Sequence, residues 1–295
     1  MSFERLAIVG VGLIGGSFAM AAREAKLVRR ISGWDDRATI EEALRRGIID
    51  EVEEAFATGN VCSADLIYLA APVGGIIDFL NAHGRQVKRG AIVTDAGSTK
   101  RAIGEAARKG LADGAHFVGG HPMAGSHERG LLNARADLFR AHPYALISAE
   151  PVQKGLDALA LRLLIEAIRT IGAQPLVLSA ERHDHLVALI SHAPQLLSTA
   201  LALRAADEND EMIDALAGAG FADMTRLAAS HWSVWEDICA TNGDEIAAQL
   251  DRFIALLESV RNELAAGGVE QTGTAFRRAS EFIRRRQDRD GLTNG

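Results

Sequence analysis

Short apolar runs alternate with longer amphipathic stretches over the first 179 residues of the chain. The runs that predict β-strands cover residues 6–9, 31–34, 66–70, 91–94, 117–119, 144–147 and 175–178. The stretches with a helical spacing of apolar residues cover 13–26, 38–46, 76–83, 100–109 and 153–171. Strands that alternate with helices of this length predict βαβ units and one doubly wound parallel sheet.

Beyond about residue 180 the strand-like runs stop, and apolar residues recur at helical spacing. The stretch 185–206 is apolar on nearly every side, so more than one surface must cover it. Pro194 cannot donate a hydrogen bond to the carbonyl of Ile190, which predicts an irregular helix there. We therefore predict an α/β domain over residues 1–179 and an all-α domain over residues 180–295 that forms an intersubunit helical core.

Charge and cysteine content restrict the possible partners. The net charge of -7 argues against a nucleic-acid partner. The two cysteines, Cys62 and Cys239, form no C-x-x-C pattern, which favours reduced thiols over a disulfide. The N-terminus does not resemble a signal peptide, and no run reaches the roughly 18 uncharged apolar residues of a membrane span. We expect a cytoplasmic protein that binds neither nucleic acid nor membranes.

A glycine-rich turn follows the first predicted strand and opens the first predicted helix. Gly10 permits a tight turn, Gly12 lets the backbone approach a pyrophosphate, and Gly15 lets helix and strand pack closely. This context predicts a Rossmann-like dinucleotide-binding domain, and glycines that serve only the turn are the alternative. The residues of the turn expected to contact the cofactor are Gly10, Gly12, Leu13, Ile14 and Gly15.

An acidic residue at the end of the second predicted strand bears on the choice of cofactor. Asp35 lies where a carboxylate accepts hydrogen bonds from ribose hydroxyls. A 2′-phosphate facing Asp35 and Asp36 would be repelled by on the order of 4 kcal/mol per pair of charges before screening. NAD is therefore favoured, while Arg37 could pair with a phosphate and permit NADP.

A further turn follows the third predicted strand. Its residues Ala71, Pro72 and Val73 could lie along the cofactor, because Pro72 stops the strand at the edge where ligands bind. A plain strand end is an equally good interpretation of these three residues.

Two polar residues follow later strands at the same predicted edge. His121 precedes Pro122, so its backbone is held extended. Its imidazole can take a proton from a substrate hydroxyl while hydride is transferred to a nicotinamide. Ser98 could hold the imidazole or the substrate hydroxyl, or it could cap the helix that starts near Thr99.

The helical region carries further polar candidates. His185 and His192 share a helix face, but no cysteine or carboxylate pattern completes a metal site, so none is predicted. Arg226 could bind a carboxylate bidentately, and a surface arginine is the alternative.

Five motifs together resemble the prephenate/arogenate (cyclohexadienyl) dehydrogenase family of tyrosine biosynthesis, from about residue 5 to residue 260. They are GVGLIGGS, DAGSTK, GGHPMAGSHERG, ERHDHLVALISHAPQ and GFADMTRLAAS. The resemblance implies NAD-dependent oxidative decarboxylation of a cyclohexadienyl alcohol, in which hydride and CO2 leave and the ring becomes aromatic. It also implies a nucleotide-binding domain followed by a helical domain that dimerises.

The resemblance assigns roles to particular residues. His121 would take the proton of the ring hydroxyl, Ser98 would help to position it, and Arg226 would hold a substrate carboxylate. The remaining residues expected to line the substrate site are His192, Gln195, Ser126 and Asp223. Many family members have a histidine where this chain has Gln195, and this difference leaves both prephenate and arogenate open as substrates.

Two other classes of protein fit part of the pattern. A 3-hydroxyacid dehydrogenase or imine reductase also joins a nucleotide-binding domain to a helical domain. The chain has no lysine after Lys154, which counts against the hydroxyacid enzymes, and GGHPMAGS does not resemble imine-reductase motifs. The alternative that is not an enzyme is an NAD-binding protein that senses redox state.

Overall fold

A six-stranded parallel sheet dominates the computed structural model, which describes residues 3–124, 129–148 and 156–293. Its strands are β1 (Phe3–Val9), β2 (Val28–Trp34), β3 (Glu51–Val52), β4 (Leu66–Leu69), β5 (Ile92–Asp95) and β6 (His116–Val118). They lie in the order β3-β2-β1-β4-β5-β6, which is that of the dinucleotide-binding Rossmann fold. The order reverses between β1 and β4, where such sheets bind their ligand.

Helices cover both faces of this sheet because residues of the central strands are apolar on both sides. In β1, Leu6 and Ile8 pack into one buried cluster, while Ala7 and Val9 pack into the other. The helices of this region are α1 (Leu13–Glu24), α2 (Arg37–Arg45), α3 (Ala55–Thr58), α4 (Val73–His83), α5 (Arg101–Gly110) and α6 (Leu156–Thr170).

A second, three-stranded sheet corrects the prediction of a single sheet. It contains β7 (Gly120–Pro122), β8 (Pro143–Ile147) and β9 (Gln174–Leu178) in that order. Strand β7 is antiparallel to β8, and β8 is parallel to β9. The chain leaves the first sheet after β6 at Gly120, where a Cβ atom would lie 2.5 Å from the carbonyl oxygen of Asp95. This close approach turns the chain into the second sheet, so the predicted strands 144–147 and 175–178 pair there.

Beyond residue 179 the described chain is helical, as predicted. The helices are α7 (Ala180–Val187), α8 (Ala193–Glu208), α9 (Met212–Leu216), α10 (Ala219–Thr225), α11 (Trp232–Ala265) and α12 (Glu270–Thr293). A π-helical turn, Ala188–His192, separates α7 from α8 and lies where Pro194 predicted an irregular helix. A short 3₁₀ turn, Arg226–Ala229, follows α10.

Within the described residues, the stretch Ala180–Glu208 is long and apolar enough to cross a membrane by length and composition alone. About a third of its most apolar part is buried in the folded chain. It also contains buried polar residues, His183, Asp184 and His192, with hydrogen-bond partners inside the fold. A core helix has the same composition, so this property is weak evidence for a membrane.

The chain divides into two compact units, residues 1–243 and residues 244–295. The smaller unit contains the end of α11 and helix α12. The Glu263 carboxylate accepts hydrogen bonds from the backbone N–H groups of Gln271 and Thr272, each at 2.7 Å, and so fixes the start of α12. Large apolar side chains remain exposed in this unit, among them Leu256, Leu257 and Phe276.

Candidate active site

The glycine-rich turn joins β1 to α1 at the point where the strand order reverses. Gly10 has φ +88° and lies against β4, since a Cβ atom there would be 2.7 Å from the carbonyl oxygen of Ala70. A Cβ atom on Gly15 would overlap the Gly10 carbonyl, whereas one on Gly12 would meet nothing within 4 Å. The turn is therefore tight on its sheet side and open beside Gly12, as a backbone that approaches a pyrophosphate requires.

The Asp35 carboxylate lies beside this turn. Its Oδ2 accepts a hydrogen bond from the Val11 N–H at 2.6 Å, and its Oδ1 accepts one from Asp36 N–H at 2.7 Å. These bonds hold an exposed acidic group at the end of β2, where the sequence predicts contact with ribose. Arg37, the residue that could admit NADP, donates instead to Glu41 of its own helix at 2.7 Å.

Helix α4 begins at Val73, three residues before the predicted start, and Pro72 precedes its first turn. The Gly74 N–H in that turn donates to the Asp237 carboxylate at 2.7 Å. Farther along α11, the hydroxyls of Thr241 and Thr99 lie 2.8 Å apart. The predicted cofactor turn, residues 71–73, is thus next to a carboxylate from a helix 163 residues away in sequence.

His121 lies in β7, opposite Ala145 of β8, with the extended backbone that the sequence predicts. Its Nδ1 is 2.9 Å from Nε2 of His183, and Nδ1 of His183 is 2.8 Å from Oδ1 of Asp184. His183 and Asp184 are buried, with exposed fractions of 2% and 0%. Burial lowers the pKa of His121 well below its ordinary value, and the nearby charges of His183, Lys100 and His192 lower it further.

Asp184 is also the cap of helix α5. Its Oδ1 accepts the Lys100 N–H at 2.8 Å and its Oδ2 accepts the Arg101 N–H at 2.9 Å. Burial alone would raise the pKa of Asp184, but the hydrogen bonds from His183, Arg101 and Lys100 outweigh it and lower the pKa. The alternative that Ser98 caps this helix is not supported, because the N-cap position is Lys100 and Ser98 lies half-buried in the turn before it.

A buried ion pair fixes the backbone next to His121. Lys100 Nζ contacts the Asp95 carboxylate and donates to the Gly120 carbonyl at 2.6 Å. Oδ1 of Asp95 accepts the Gly120 N–H at 3.0 Å. Both backbone polar groups of Gly120 are thus held, one residue before His121. Burial lowers the pKa of Lys100, and the charges of Asp95 and Asp184 oppose this shift.

The π-helical turn brings His192 to the same cluster. Asn242 Nδ2 is 3.3 Å from His192 Nδ1 and donates to the Asp184 carbonyl at 2.9 Å, while its Oδ1 accepts from Arg101 at 2.9 Å. Asn242 is buried and has non-helical angles, φ -135° and ψ 22°, inside α11. Burial lowers the pKa of His192 to about 4, with the Asp184 charge opposing that shift.

Gln195 is the centre of a second group of polar contacts. Its Nε2 donates to the Leu227 carbonyl at 2.7 Å, and its Oε1 accepts from the Ser230 hydroxyl at 3.2 Å. Helix α8 therefore holds the 3₁₀ turn that begins at Arg226. Arg226 is exposed, as is Asp223 of α10. Ser126, the remaining predicted substrate residue, lies outside the described residues.

Two family profiles match successive parts of the chain. The family profile "Prephenate dehydrogenase, nucleotide-binding domain" matches residues 18–177, and "Prephenate dehydrogenase, dimerization domain" matches residues 179–278. The chain belongs to the prephenate dehydrogenase family. It is 32% identical to prephenate dehydrogenase from Bacillus subtilis (strain 168) over 295 residues, which cover 98% of this chain and 76% of the relative.

Solved structures from this family share the fold over nearly the whole chain. Prephenate dehydrogenase from A. aeolicus, in complex with hydroxyphenyl propionate and NAD+, is similar with a TM-score of 0.87 and 26% identity. The match covers 97% of this chain and 99% of that one. Synechocystis arogenate dehydrogenase matches with the same identity and coverage and a TM-score of 0.79.

The prephenate dehydrogenase family assignment confirms four predictions. These are the family, the α/β fold class with a helical region after it, the class of NAD-dependent oxidoreductase, and NAD as the cofactor. No prediction named the residues that hold Gly120, His121 and His192 in place. They are Asp95, Lys100, His183, Asp184 and Asn242. The adjacent His183-Asp184 pair within ERHDH could have indicated these residues, because a carboxylate beside a histidine can orient its ring. No sequence pattern indicated Asn242.

Proposed function

We propose that this chain catalyses the NAD-dependent oxidative decarboxylation of prephenate to 4-hydroxyphenylpyruvate, of arogenate to tyrosine, or of both. The observation that carries the proposal is His121, which lies in strand β7 and contacts the buried His183, itself bound by the buried Asp184, in a chain of this family. Its lowered pKa keeps the imidazole neutral at physiological pH, as a proton acceptor requires.

The cofactor site that we propose follows the open glycine turn. Gly12 faces free space, and Asp35 stands beside the turn as a carboxylate acceptor for ribose. Bound NAD would supply the hydride acceptor. The other proposed cofactor contacts are Gly10, Leu13, Ile14, Gly15, Ala71, Pro72 and Val73.

The protein residues would handle the substrate's proton and carboxylates. We propose that His121 takes the proton of the ring hydroxyl and that Ser98 helps to hold this hydroxyl. Arg226 would bind a carboxylate, because a guanidinium pairs with carboxylates in bidentate geometry. The remaining proposed substrate residues are His192, Gln195, Ser126 and Asp223.

At the level of the whole chain we propose a cytoplasmic homodimer. Residues 1–179 would bind the nucleotide, and residues 180–295 would complete the substrate site and form the interface. The match of residues 179–278 to a dimerization-domain family and the exposed apolar residues of the helices support this arrangement.

Initial rates test the activity. Prephenate and arogenate are each supplied with NAD and with NADP, and the absorbance of the reduced nicotinamide is followed. We expect turnover of at least one substrate with a preference for NAD, and we expect His121→Asn to lower kcat by about 10²–10⁴-fold with little change in NAD affinity. Asp35→Ser should reduce the preference for NAD over NADP. No turnover of either substrate, with intact NAD binding, would favour a redox sensor instead.

A further inference from the structure

We propose that His183 and Asp184 are positioning residues that fix His121 in the tautomer whose Nε2 accepts the proton. The proposal rests on the proposed function of His121 as the base. It concerns three side chains linked in series by hydrogen bonds: the Asp184 carboxylate, the His183 ring and the His121 ring.

The anchor of the series is the Asp184 carboxylate. It accepts two backbone N–H bonds at the start of α5 and a bond from the Arg101 guanidinium at 3.3 Å. These donors fix its position, and the lowered pKa keeps it ionised. An ionised carboxylate has no proton to give and acts only as an acceptor.

The proton positions along the series follow from that anchor. Because Asp184 only accepts, Nδ1 of His183 must carry the proton that forms the 2.8 Å bond. When the His183 ring carries this single proton, its Nε2 has a lone pair, which can only accept. His121 must therefore donate from Nδ1 across the 2.9 Å contact, and its Nε2 is left with a lone pair for a substrate hydroxyl.

The same series also stabilises the charge that forms when His121 takes a proton. Burial opposes this charge most, and the Lys100 ammonium at the start of α5 opposes it as well; His183 and His192 oppose it only when they are themselves protonated. Only the Asp184 carboxylate, on the far side of the His183 ring, counters them in the series of hydrogen bonds described here. His183 connects that carboxylate to the base.

A purely structural role makes a different prediction. Asp184 would cap α5 whether or not residue 183 could accept a hydrogen bond, because the cap uses only backbone and Arg101 donors. Substitutions at His183 therefore separate the two roles. His183→Gln can still present an amide oxygen near the position of Nε2, and His183→Phe fills similar space without any acceptor.

Nitrogen-15 NMR of histidine-labelled protein reads the tautomer without substrate. Spectra are recorded at pH 8, well above the ordinary histidine pKa of about 6.5, and His121→Asn identifies the His121 signals. We expect the Nδ1–H tautomer of His121 in the wild type and in His183→Gln, and a mixture with the Nε2–H tautomer in His183→Phe. A wild-type His121 with its proton on Nε2 overturns the proposal, even if no variant folds.

Kinetics supply the second measurement. We expect His183→Phe to lower kcat by about 10²–10⁴-fold with the Kd for NAD unchanged, and His183→Gln to retain activity within about tenfold of the wild type. Equal losses in the two variants, or no loss in His183→Phe with thermal unfolding unchanged, would refute the positioning role. Should the tautomer behave as expected while the wild type turns over neither substrate, the proposed function fails and the positioning of His121 stands.

Discussion

Burial decides the protonation of single histidines in this protein. His192 is 1% exposed and sits beside Asn242 and the ring of Trp235, whose centroid is 5.9 Å from its own. Its pKa of about 4 means that the folded chain keeps it neutral at a pH at which the unfolded chain protonates it. The side chain thereby couples stability to pH.

The expected stability profile follows from the sign of this shift. Between pH 6.5 and about 4 the unfolded chain binds the extra proton at His192, so the contribution of this residue is complete above pH 6.5 and is lost as the pH falls. The expected loss is on the order of 3 kcal/mol. Urea unfolding at a series of pH values measures it.

Two variants control this experiment. His192→Gln should reduce the loss of stability between pH 6.5 and 4, with the remainder due to other groups of lowered pKa such as His121, whereas His231→Gln, which changes an exposed histidine, should leave the profile unaltered. A wild-type profile that is flat over this range would contradict the assignment of a buried neutral His192.

The residues that sequence could predict are those whose function depends on near neighbours. Gly10 and Gly15 were predictable because a tight turn needs glycine where strand meets helix, and His121 because Pro122 extends its backbone. Asn242 was not, because its partner Asp184 lies 58 residues away, and the contact of His183 with His121, 62 residues away, was equally hidden although the His183-Asp184 pair itself is adjacent in sequence. No local pattern records that distance.

At the scale of secondary-structure elements, the turn that begins at Arg226 depends on helix α8. Gln195 and Ser198 bind its backbone, the latter by accepting the Ala228 N–H at 3.1 Å. From the sequence, Gln195 was expected only to line the substrate site. In the structure, Gln195 also holds the turn that begins at Arg226, because it donates to the Leu227 carbonyl.

We therefore expect Gln195→Ala to raise KM for the cyclohexadienyl substrate by about 5- to 100-fold, with a smaller effect on kcat. The Leu227 carbonyl would lose its donor, at a cost of about 1–3 kcal/mol, and the turn would shift. Thr199→Ala is the matched control, because the Thr199 hydroxyl bonds only within α8 in the contacts described here. Equal KM values for the wild type and Gln195→Ala would show that the turn does not need this bond.

The pairing of strands could not be predicted from the sequence. The apolar runs that became β8 and β9 were recognised, yet they were assigned to the wrong sheet. Alternation of apolar residues reports that a strand is buried but not which strand it pairs with. The change of sheet depends on the contact between Gly120 and Asp95, which no periodicity reveals.

At the scale of the whole molecule, large apolar side chains stay exposed on the helices of the single chain. Ile190, Leu203, Leu216, Leu257 and Phe276 are each more than half exposed. Isolated exposed apolar residues are ordinary, but their concentration here suits a subunit interface. The intersubunit helical core therefore stays a prediction, which these exposed residues support.

Light scattering coupled to size-exclusion chromatography tests it. We expect the wild type to elute as a dimer and Leu257→Glu to shift it toward the monomer, because a charge buried in an interface is costly without a partner. Leu257 is 62% exposed in the single chain, and Val61, 63% exposed outside the helical region, is the matched control. Val61→Glu should stay dimeric. A monomeric wild type would contradict the dimer.

The carboxylate from α11 at Gly74 has a consequence for where an anion can bind. Helices α1, α4 and α5 all begin at the same edge of the parallel sheet, and the positive end of each could attract a phosphate. Asp237 already neutralises the end of α4, and Asp184 that of α5. Gly12, at the start of α1, has no side chain to do the same. Asp35 binds the Val11 N–H just before α1, but no side chain caps the first turn of α1 itself, so of these three helix starts the one at α1 suits the proposed dinucleotide site.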